Sequence, residues 1–175
     1  MAVTIRQGND VDAERLSELL VRNRTYFSTG QPALPEEYYT TAHQARVIRA
    51  DAESRAADRS ALFLIEADGV LVGRANLSSI IRGAFQSASI GYLVDEEHTG
   101  RGIATAALRQ LTGYAFDDLG LHRLQAEVLP DNVASKRVLS HLGFCHYGTA
   151  PHYLRIQGRW QTHDLYQLIN PATES

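Results

Sequence analysis

The chain has 175 residues, of which 44% are apolar, and a formal net charge of −3. A chain of this length and composition can build one substantial hydrophobic core, so we do not expect a disordered protein. The small negative charge provides no general electrostatic field for nucleic acid, and we expect no direct nucleic-acid partner.

The single cysteine, Cys145, rules out an internal disulfide framework and a cysteine-based metal cage. The first residues lack the long apolar core of a signal peptide. The longest unbroken apolar stretch, residues 61–65, is far shorter than the roughly 20 residues that a membrane span needs. We therefore expect a cytoplasmic protein with no membrane partner.

The first predicted elements are a strand, a helix, a loop and a second helix. Residues 3–6 are predicted to form the strand, and Asn9 or Asp10 can cap a helix with three leucines on one face. Residues 26–34 are predicted to be a mobile loop. Pro35 followed by two glutamates has the composition of a helix start, and this second helix is predicted to cover residues 35–57.

A β-hairpin is predicted next, because Asp68-Gly69 supplies the positive φ angles of a tight primed turn between apolar residues 61–67 and 70–77. Residues 87–94 are predicted to form another strand. Antiparallel pairing is therefore expected in this part of the chain.

The second half of the chain continues the mixture of helices and strands. Helices are predicted over residues 103–119 and 134–142, each followed by a glycine that can end it. A strand is predicted over residues 122–129, and residues 144–168 are predicted to be two strands with a turn at Gln157-Gly158. Without a repeat or an internal linker, we expect one domain over residues 1–170 and a flexible tail over residues 171–175.

A glycine-rich turn joins the strand at residues 87–94 to the helix at residue 103. It comprises Thr99, Gly100, Arg101, Gly102, Ile103, Ala104 and Thr105, and is called the anion turn below. Its glycines let backbone amides converge at the positive end of the helix dipole, which suits a phosphate or pyrophosphate, and Arg101 could add a cation. The alternative is an ordinary strand-to-helix turn. Thr105 stands where the dinucleotide fingerprint requires glycine, and no Walker motif is present.

A second motif, Asn132-Val133-Ala134-Ser135, lies between a strand and the helix that closes at Gly143. Asparagine followed three residues later by serine can cap a helix and aim an amide and a hydroxyl at a ligand along the strand ends. Plain capping is the alternative.

Together these motifs resemble the GCN5-related N-acetyltransferase (GNAT) family, whose pyrophosphate loop falls here on residues 99–104. Thr99 departs from the glutamine or arginine that is usual at the first position, which removes a side chain but no backbone amide. The resemblance extends to the ribosomal-protein-alanine acetyltransferases of the RimJ type. It is carried by Arg22-Asn23-Arg24, Ala75-Asn76-Leu77-Ser78, Arg82-Gly83-Ala84-Phe85, Gly91-Tyr92, His122-Arg123, Leu142-Gly143-Phe144 and residues 153–160.

The resemblance implies the GNAT fold, of the α/β (α+β) class. A single mixed, mostly antiparallel sheet of about six to seven strands is flanked by about four helices, and a splayed pair of strands holds coenzyme A. The amides near Leu93 and Val94 would hold the pantetheine and polarise the thioester carbonyl. The anion turn would take the pyrophosphate, Asn132 would bond the pantetheine amide region, and Ser135 would lie near the sulfur.

The resemblance also indicates which residues could take part in catalysis. Many family members place a tyrosine as general acid where this chain has Leu139, so Ser135 is the candidate for a hydrogen bond to the departing sulfur. Glu127 and Tyr92 are the candidate bases, each acting through water. The alternatives are a solvated strand face for Glu127 and packing in the core or against pantetheine for Tyr92. The scattered histidines lack metal-ligand spacing, and no metal is assigned.

The acceptor is expected to enter from the opposite side of the wedge. Tyr26 and Phe27 in the first loop, with Tyr153 and Trp160 near the final turn, would form walls that clamp a peptide terminus. Simple hairpin packing is the alternative for these aromatic residues.

The sequence thus predicts an acyltransferase that moves the acetyl group of acetyl-CoA to a primary amine by direct attack in a ternary complex. The leading acceptor is the N-terminal alanine of a ribosomal protein, with another peptide amine or a small-molecule amine as alternatives. A non-catalytic acetyl-CoA sensor and, more remotely, a nucleotide-binding protein remain as other classes. The protein is expected to be a monomer or a homodimer.

Overall fold

A seven-stranded mixed sheet organises the computed structural model, which describes residues 1–173. The strands are β1 (Val3–Arg6), β2 (Ala61–Ala67), β3 (Val70–Ile81), β4 (Ser87–Val94), β5 (Arg123–Val128), β6 (Cys145–Ile156) and β7 (Arg159–Ile169). Their order in the sheet is β1-β2-β3-β4-β5-β7-β6. Only β4 and β5 pair in parallel, so the sheet is mostly antiparallel, as expected.

Helices cover the two faces of the sheet. They are α1 (Asp12–Arg22), α2 (Arg24–Ser28), α3 (Thr41–Ala56), α4 (Ile103–Gly113) and α5 (Val133–His141). Leucines of α1 and Ile48 of α3 pack against Leu64 and Leu71 on one face. Apolar residues of α4 and Leu139 of α5 pack in a larger cluster on the other face. The sheet therefore lies between two hydrophobic clusters.

Both predicted hairpins are confirmed. Asp68 and Gly69 have φ angles of 49° and 80°, and Gln157 and Gly158 have φ angles of 47° and 79°. Positive φ at both central residues is the geometry of a type I′ turn, which matches the twist of the strands it connects. The first hairpin joins β2 to β3 and the second joins β6 to β7.

The single helix predicted over residues 35–57 is wrong, because the chain breaks at Thr40. Glu36–Tyr39 form one 3-10 turn, and α3 begins only after Thr40, whose backbone is extended. The Thr40 hydroxyl accepts a hydrogen bond from the amide of His43 at 3.2 Å. A threonine that caps a helix satisfies an otherwise free amide, so the helix starts here rather than at Pro35.

The loop predicted over residues 26–34 begins as helix α2, with Phe27 buried against α1 and α3. The predicted side-chain cap of α1 is also wrong. Helix α1 begins after Val11, which makes no capping bond, while the Asn9 side chain accepts from the Val11 amide at 3.1 Å. The carboxylate of Asp10 instead pairs with Arg49.

The helix predicted over residues 103–119 changes character near its end. It is α-helical in α4 and then forms a π-helical turn, Tyr114–Asp118, before Gly120 at φ 63°. After β7, Pro171–Thr173 form a 3-10 turn, and Thr173 Oγ1 lies 2.6 Å from His122 Nδ1. The remainder of the expected tail, residues 174–175, lies outside the described residues. Within the described part, no helix has the length and apolar character needed to cross a membrane.

Candidate active site

The sheet opens between β4 and β5. The parallel pairing of these two strands runs from Ser87 opposite Arg123 to Ser89 opposite Gln125. Beyond that point β4 continues to Val94 and β5 to Val128, each paired only on its other side. The upper halves of the two strands therefore splay apart, as predicted, and their facing backbone groups, including those near Leu93 and Val94, are left for a ligand.

The anion turn lies at the open end of this wedge. Gly100 and Gly102 have φ angles of 72° and 76°, which favour glycine, and Gly102 is the residue before α4. The first intrahelical bond runs from the Ala106 amide to the Gly102 carbonyl at 3.0 Å. The amides of residues 103–105 therefore precede the helical ladder and point out of the helix start, where an anion is favoured.

Thr99 has a different position from the rest of the turn. Its amide and its hydroxyl both lie within hydrogen-bond distance of the Glu96 carbonyl, at 3.2 and 2.8 Å. Thr99 thus closes the preceding 3-10 turn in this structure. The amides that remain for a phosphate come from the positions after it.

Tyr92 and Ser135 meet across the wedge. The Tyr92 phenol donates to Ser135 Oγ at 3.0 Å, which connects β4 to the first turn of α5. Asn132 accepts from the Ser135 amide at 3.0 Å and caps α5, so the serine is held in place by its own helix start. Burial raises the pKa of Tyr92, so this phenol stays protonated at neutral pH. Leu139, one turn further on, is buried in the core.

Glu127 lies on the opposite face of the sheet. Its Oε1 accepts a hydrogen bond from Ser89 Oγ at 3.3 Å, and burial raises the pKa of its carboxyl group. His163 on β7 is only 3% exposed, and its electrostatic influence lowers the pKa of Glu127 by less than burial raises it. Sequence reasoning missed Ser89 and His163, since both strands carry several polar residues and nothing local sets these two apart.

Helix α2 and the β6–β7 turn form two facing walls. Gln157 donates to the Ser28 carbonyl at 2.6 Å and ties the turn to the helix. Beside this contact lies a cleft of about 310 Å³, whose lining includes Arg24, Leu34 and Tyr39. The two regions expected to wall the acceptor site are thus brought together.

The aromatic residues expected in these walls differ in exposure. Tyr26, Tyr153 and Trp160 are exposed, and Trp160 lines a second cleft that also includes Pro130 of the wedge rim. Phe27 is buried in the cluster under α1 and α3. Three of the four aromatic side chains are therefore accessible to an acceptor, whereas Phe27 packs in the core.

The described residues contain no group of three or more histidine, cysteine, aspartate or glutamate side chains placed to hold a metal ion. The chemistry available in the wedge is that of hydroxyls, a carboxyl group and oriented amides. A helix start suited to an anion, with a hydroxyl and a carboxyl group on opposite faces of a split sheet, fits an enzyme that transfers an acyl group from a phosphate-bearing thioester.

The comparisons with known proteins agree with this class. The family model described as acetyltransferase (GNAT) domain matches residues 2–145, and the chain belongs to the GNAT family. It is 37% identical over 174 residues to the probable N-acetyltransferase YjcK of Bacillus subtilis (strain 168), covering 98% of this chain and 96% of that protein. It is 30% identical over 171 residues to the [ribosomal protein uS5]-alanine N-acetyltransferase of Escherichia coli (strain K12), covering 97% and 88%.

Among solved structures, RimJ of Mycobacterium smegmatis in complex with CoA-disulfide superposes with a TM-score of 0.92 at 30% identity, covering 99% of this chain and 84% of that one. The predicted family and fold are thereby confirmed. The protein is an N-acetyltransferase of this family.

Proposed function

We propose that this enzyme acetylates the α-amine of a protein N-terminus, and that its acceptor is the N-terminal alanine of a ribosomal protein. The observation that carries the proposal is the pair of tied walls beside the wedge, α2 and the β6–β7 turn, joined by Gln157 and Ser28. A cleft of this kind can hold the residues that follow a reactive amine, which a small amine does not possess. The likeness to the uS5-alanine acetyltransferase supports the acceptor class.

The residues on the wedge fit acetyl-CoA, which supplies the activated thioester when bound. The amides at the start of α4 would hold the pyrophosphate, and Arg101 would add charge at the rim. The backbone near Leu93 and Val94 would bind the pantetheine and polarise the thioester carbonyl. Asn132 would contribute its amide group where it caps α5.

Ser135 is the proposed hydrogen-bond donor to the leaving sulfur. Because Tyr92 donates to Ser135 Oγ, the serine hydrogen is free to point at another acceptor. A chain of two hydroxyls strengthens the terminal donor through polarisation. The raised pKa of Tyr92 favours a protonated donor in this chain over the alternative role of Tyr92 as a base.

Glu127 is the proposed base on the acceptor side. Burial raises its carboxyl pKa towards the working pH, where a general base is most effective. The protonated acceptor amine loses one proton to Glu127, directly or through water, and its neutral nitrogen attacks the thioester carbonyl. As the C–N bond forms and the C–S bond breaks, the nitrogen gives up a second proton and coenzyme A leaves as a thiolate that takes up this proton. Placement of the amine between the two walls contributes by orientation.

Thiol release from acetyl-CoA tests the proposal. The amines compared are an alanine-starting peptide of a ribosomal protein, alanine amide and an N-blocked peptide that contains lysine. The α-amine should be preferred because its pKa is about 7.7–8.0, against about 10.4 for lysine, so more of it is neutral at physiological pH. Mass spectrometry of the product locates the acetyl group.

Trp160→Ala should remove most of the advantage of the peptide over alanine amide, because Trp160 would contact residues beyond the reactive nitrogen. Phe85→Ala is the matched control, since Phe85 is also an exposed aromatic residue but lines neither cleft. Acetylation of the lysine side chain would contradict the α-amine as acceptor, and equal rates for peptide and alanine amide would contradict recognition of the peptide. Binding of acetyl-CoA without thiol release in the presence of any amine would favour a non-catalytic sensor. A ribosomal acceptor would also agree with the expected cytoplasmic location.

A further inference from the structure

Asn76 and Gly91 face each other across β3 and β4, close to Glu127. The two residues are register partners, so their side-chain positions share one face of the sheet. A Cβ atom placed on Gly91 would lie 3.2 Å from Asn76 Oδ1 and 3.6 Å from Nδ2. The Asn76 amide therefore lies beside the space directly above Gly91.

Backbone geometry does not require glycine at position 91. The strand is extended there, and Gly91 is not among the glycines with positive φ. Glycine inside a strand weakens it and often marks a place where a ligand approaches closely. Gly73 on β3 differs, because a Cβ there would lie 2.2 Å from the Leu93 carbonyl oxygen. Packing explains Gly73, whereas Gly91 meets only the end of one flexible side chain.

Glu127 lies on the other side of the same space. The parallel pairing of β4 with β5 ends at Ser89 and Gln125, and the same register continued by two residues would place Gly91 opposite Glu127. Ser89 holds Oε1 of Glu127 on this face at 3.3 Å. Gly91 therefore lies beside the Asn76 amide and two residues beyond Ser89, which contacts the Glu127 carboxyl group, with all four side-chain positions on one face of the sheet. Within residues 1–173 the Asn76 side chain makes no hydrogen bond.

We propose that Asn76 and Gly91 form the seat for the first residue of the acceptor, an inference that rests on the proposed function. The acceptor amine lies beside Glu127, its α-carbon lies over Gly91, and its first carbonyl oxygen accepts a hydrogen bond from the Asn76 amide. A Cβ atom bonded to Gly91 itself would lie 3.2 Å from Asn76 Oδ1, so the space between Gly91 and this side chain is narrow. The seat thus selects a small first residue, namely glycine, alanine or serine.

Steady-state kinetics with an alanine-starting peptide test the hydrogen bond. Asn76→Leu should raise the acceptor KM about tenfold, the effect of losing one hydrogen bond, with kcat changed far less. Acetyl-CoA affinity should stay within about twofold, because Asn76 lies on the acceptor face. Ser78→Ala, two residues along the same strand and face, is the matched control and should leave the acceptor KM unchanged. Asn76→Asp, which has the same shape but no donor, replaces Asn76→Leu should the latter fail to fold.

Gly91→Ala tests the size of the seat. The added methyl group should lower kcat/KM for alanine-starting and serine-starting peptides more than for a glycine-starting peptide, and the ratio between them should change about fivefold or more. An unchanged acceptor KM in folded, acetyl-CoA-binding Asn76→Leu, or an unchanged size profile in Gly91→Ala, would overturn the seat while the proposed function stands. A wild-type enzyme that acetylates small amines but no peptide would overturn both.

Discussion

Ser135 and Tyr92 form a coupled pair of hydroxyls, so their substitutions should not be additive. Ser135→Ala should lower kcat about tenfold, which corresponds to about 1.4 kcal/mol, because the leaving sulfur loses its hydrogen bond. Tyr92→Phe should lower kcat less, and the double variant should be about as slow as Ser135→Ala alone. Single-turnover rates at saturating acetyl-CoA measure the effect.

The control for this pair is Ser140→Ala on the same helix, since Ser140 is exposed and its hydroxyl lies away from the Tyr92 contact. Acetyl-CoA affinity should be nearly constant across the series, because the sulfur bond strengthens only as charge develops. Strictly additive losses for Ser135→Ala and Tyr92→Phe would show that the two hydroxyls do not act together.

Glu127, the proposed base, also carries a stability cost. Burial raises its carboxyl pKa in the folded protein, so the folded state binds a proton more tightly than the unfolded state. The contribution of Glu127 to the free energy of unfolding is fully present below its pKa in the unfolded state. It is lost as the pH rises through its pKa in the folded state. Glu127→Gln should therefore melt at a higher temperature than wild type at neutral pH, and the difference should shrink on acidification.

The same substitution should lower kcat about a hundredfold, because the amide cannot accept the amine proton. In wild type, kcat should rise with pH, and the midpoint of this rise should lie above the ordinary pKa of a glutamate. Glu53→Gln on the exposed face of α3 is the control for the loss of a carboxylate. Full activity of the Glu127→Gln variant, with the same pH profile, would remove Glu127 from the reaction.

For single residues, the sequence predicts local roles such as helix caps better than it predicts side-chain contacts between distant parts of the chain. Asn132 caps α5 as expected because a helix cap depends on neighbours within three residues. The Tyr92–Ser135 and Ser89–Glu127 contacts join strands and helices far apart in the chain. Pairs of this kind depend on the parallel register of β4 with β5, which no local pattern specifies.

Elements with strong local signals are predicted closely, and elements set by packing are not. Strands β1 and β4 and both type I′ hairpins follow the alternation and turn residues of the sequence. The break at Thr40 and the helix in α2 differ from expectation, because Phe27 is buried in the cluster of α1 and α3 and the partly buried Tyr38 and Tyr39 pack against that cluster. Tertiary packing there outweighs the proline and glutamate start signal.

The start of α4 is the proposed binding element for the coenzyme pyrophosphate. Gly102→Val should weaken acetyl-CoA binding at least about tenfold, or roughly 1.4 kcal/mol, because a side chain at the helix start obstructs the approach of phosphate. Backbone strain at φ 76° should also lower stability by about 1–2 kcal/mol. Titration calorimetry on folded protein gives the affinity.

The control variant Gly120→Val separates obstruction of phosphate binding from backbone strain. Gly120 has φ 63°, and at both glycines a Cβ atom would meet nothing within 4 Å, so the strain is comparable. Gly120 lies beyond the opposite end of α4 from the anion turn. Equal losses of acetyl-CoA affinity in the two variants would mean that strain, rather than contact with phosphate, accounts for the result.

For the whole molecule, the split sheet places the groups proposed to act on the donor and on the acceptor on opposite faces of one opening. The Tyr92–Ser135 pair belongs to the face covered by α4 and α5, and Glu127 with Ser89 belongs to the other face. The wedge between β4 and β5 is the place where the two sides meet. An amine from one face can thus reach a thioester on the other without an intermediate carrier on the protein.

This arrangement predicts direct transfer in a ternary complex. Double-reciprocal plots of initial rate against acetyl-CoA concentration, at several peptide concentrations, should intersect, whereas a covalent acetyl-enzyme would give parallel lines.

Cys145 is the residue to test as a covalent acetyl carrier, because it is the one cysteine in the sequence and is exposed. It starts β6, and its sulfur lies 3.8 Å from the Gly143 carbonyl oxygen. Cys145→Ser should therefore keep kcat within about twofold, since orientation in the wedge, rather than a nucleophile, lowers the barrier. Incubation of wild type with acetyl-CoA alone, followed by intact mass measurement, should show no gain of an acetyl group. Parallel rate plots together with an acetylated Cys145 would instead require a two-step mechanism and a different role for the opposed faces.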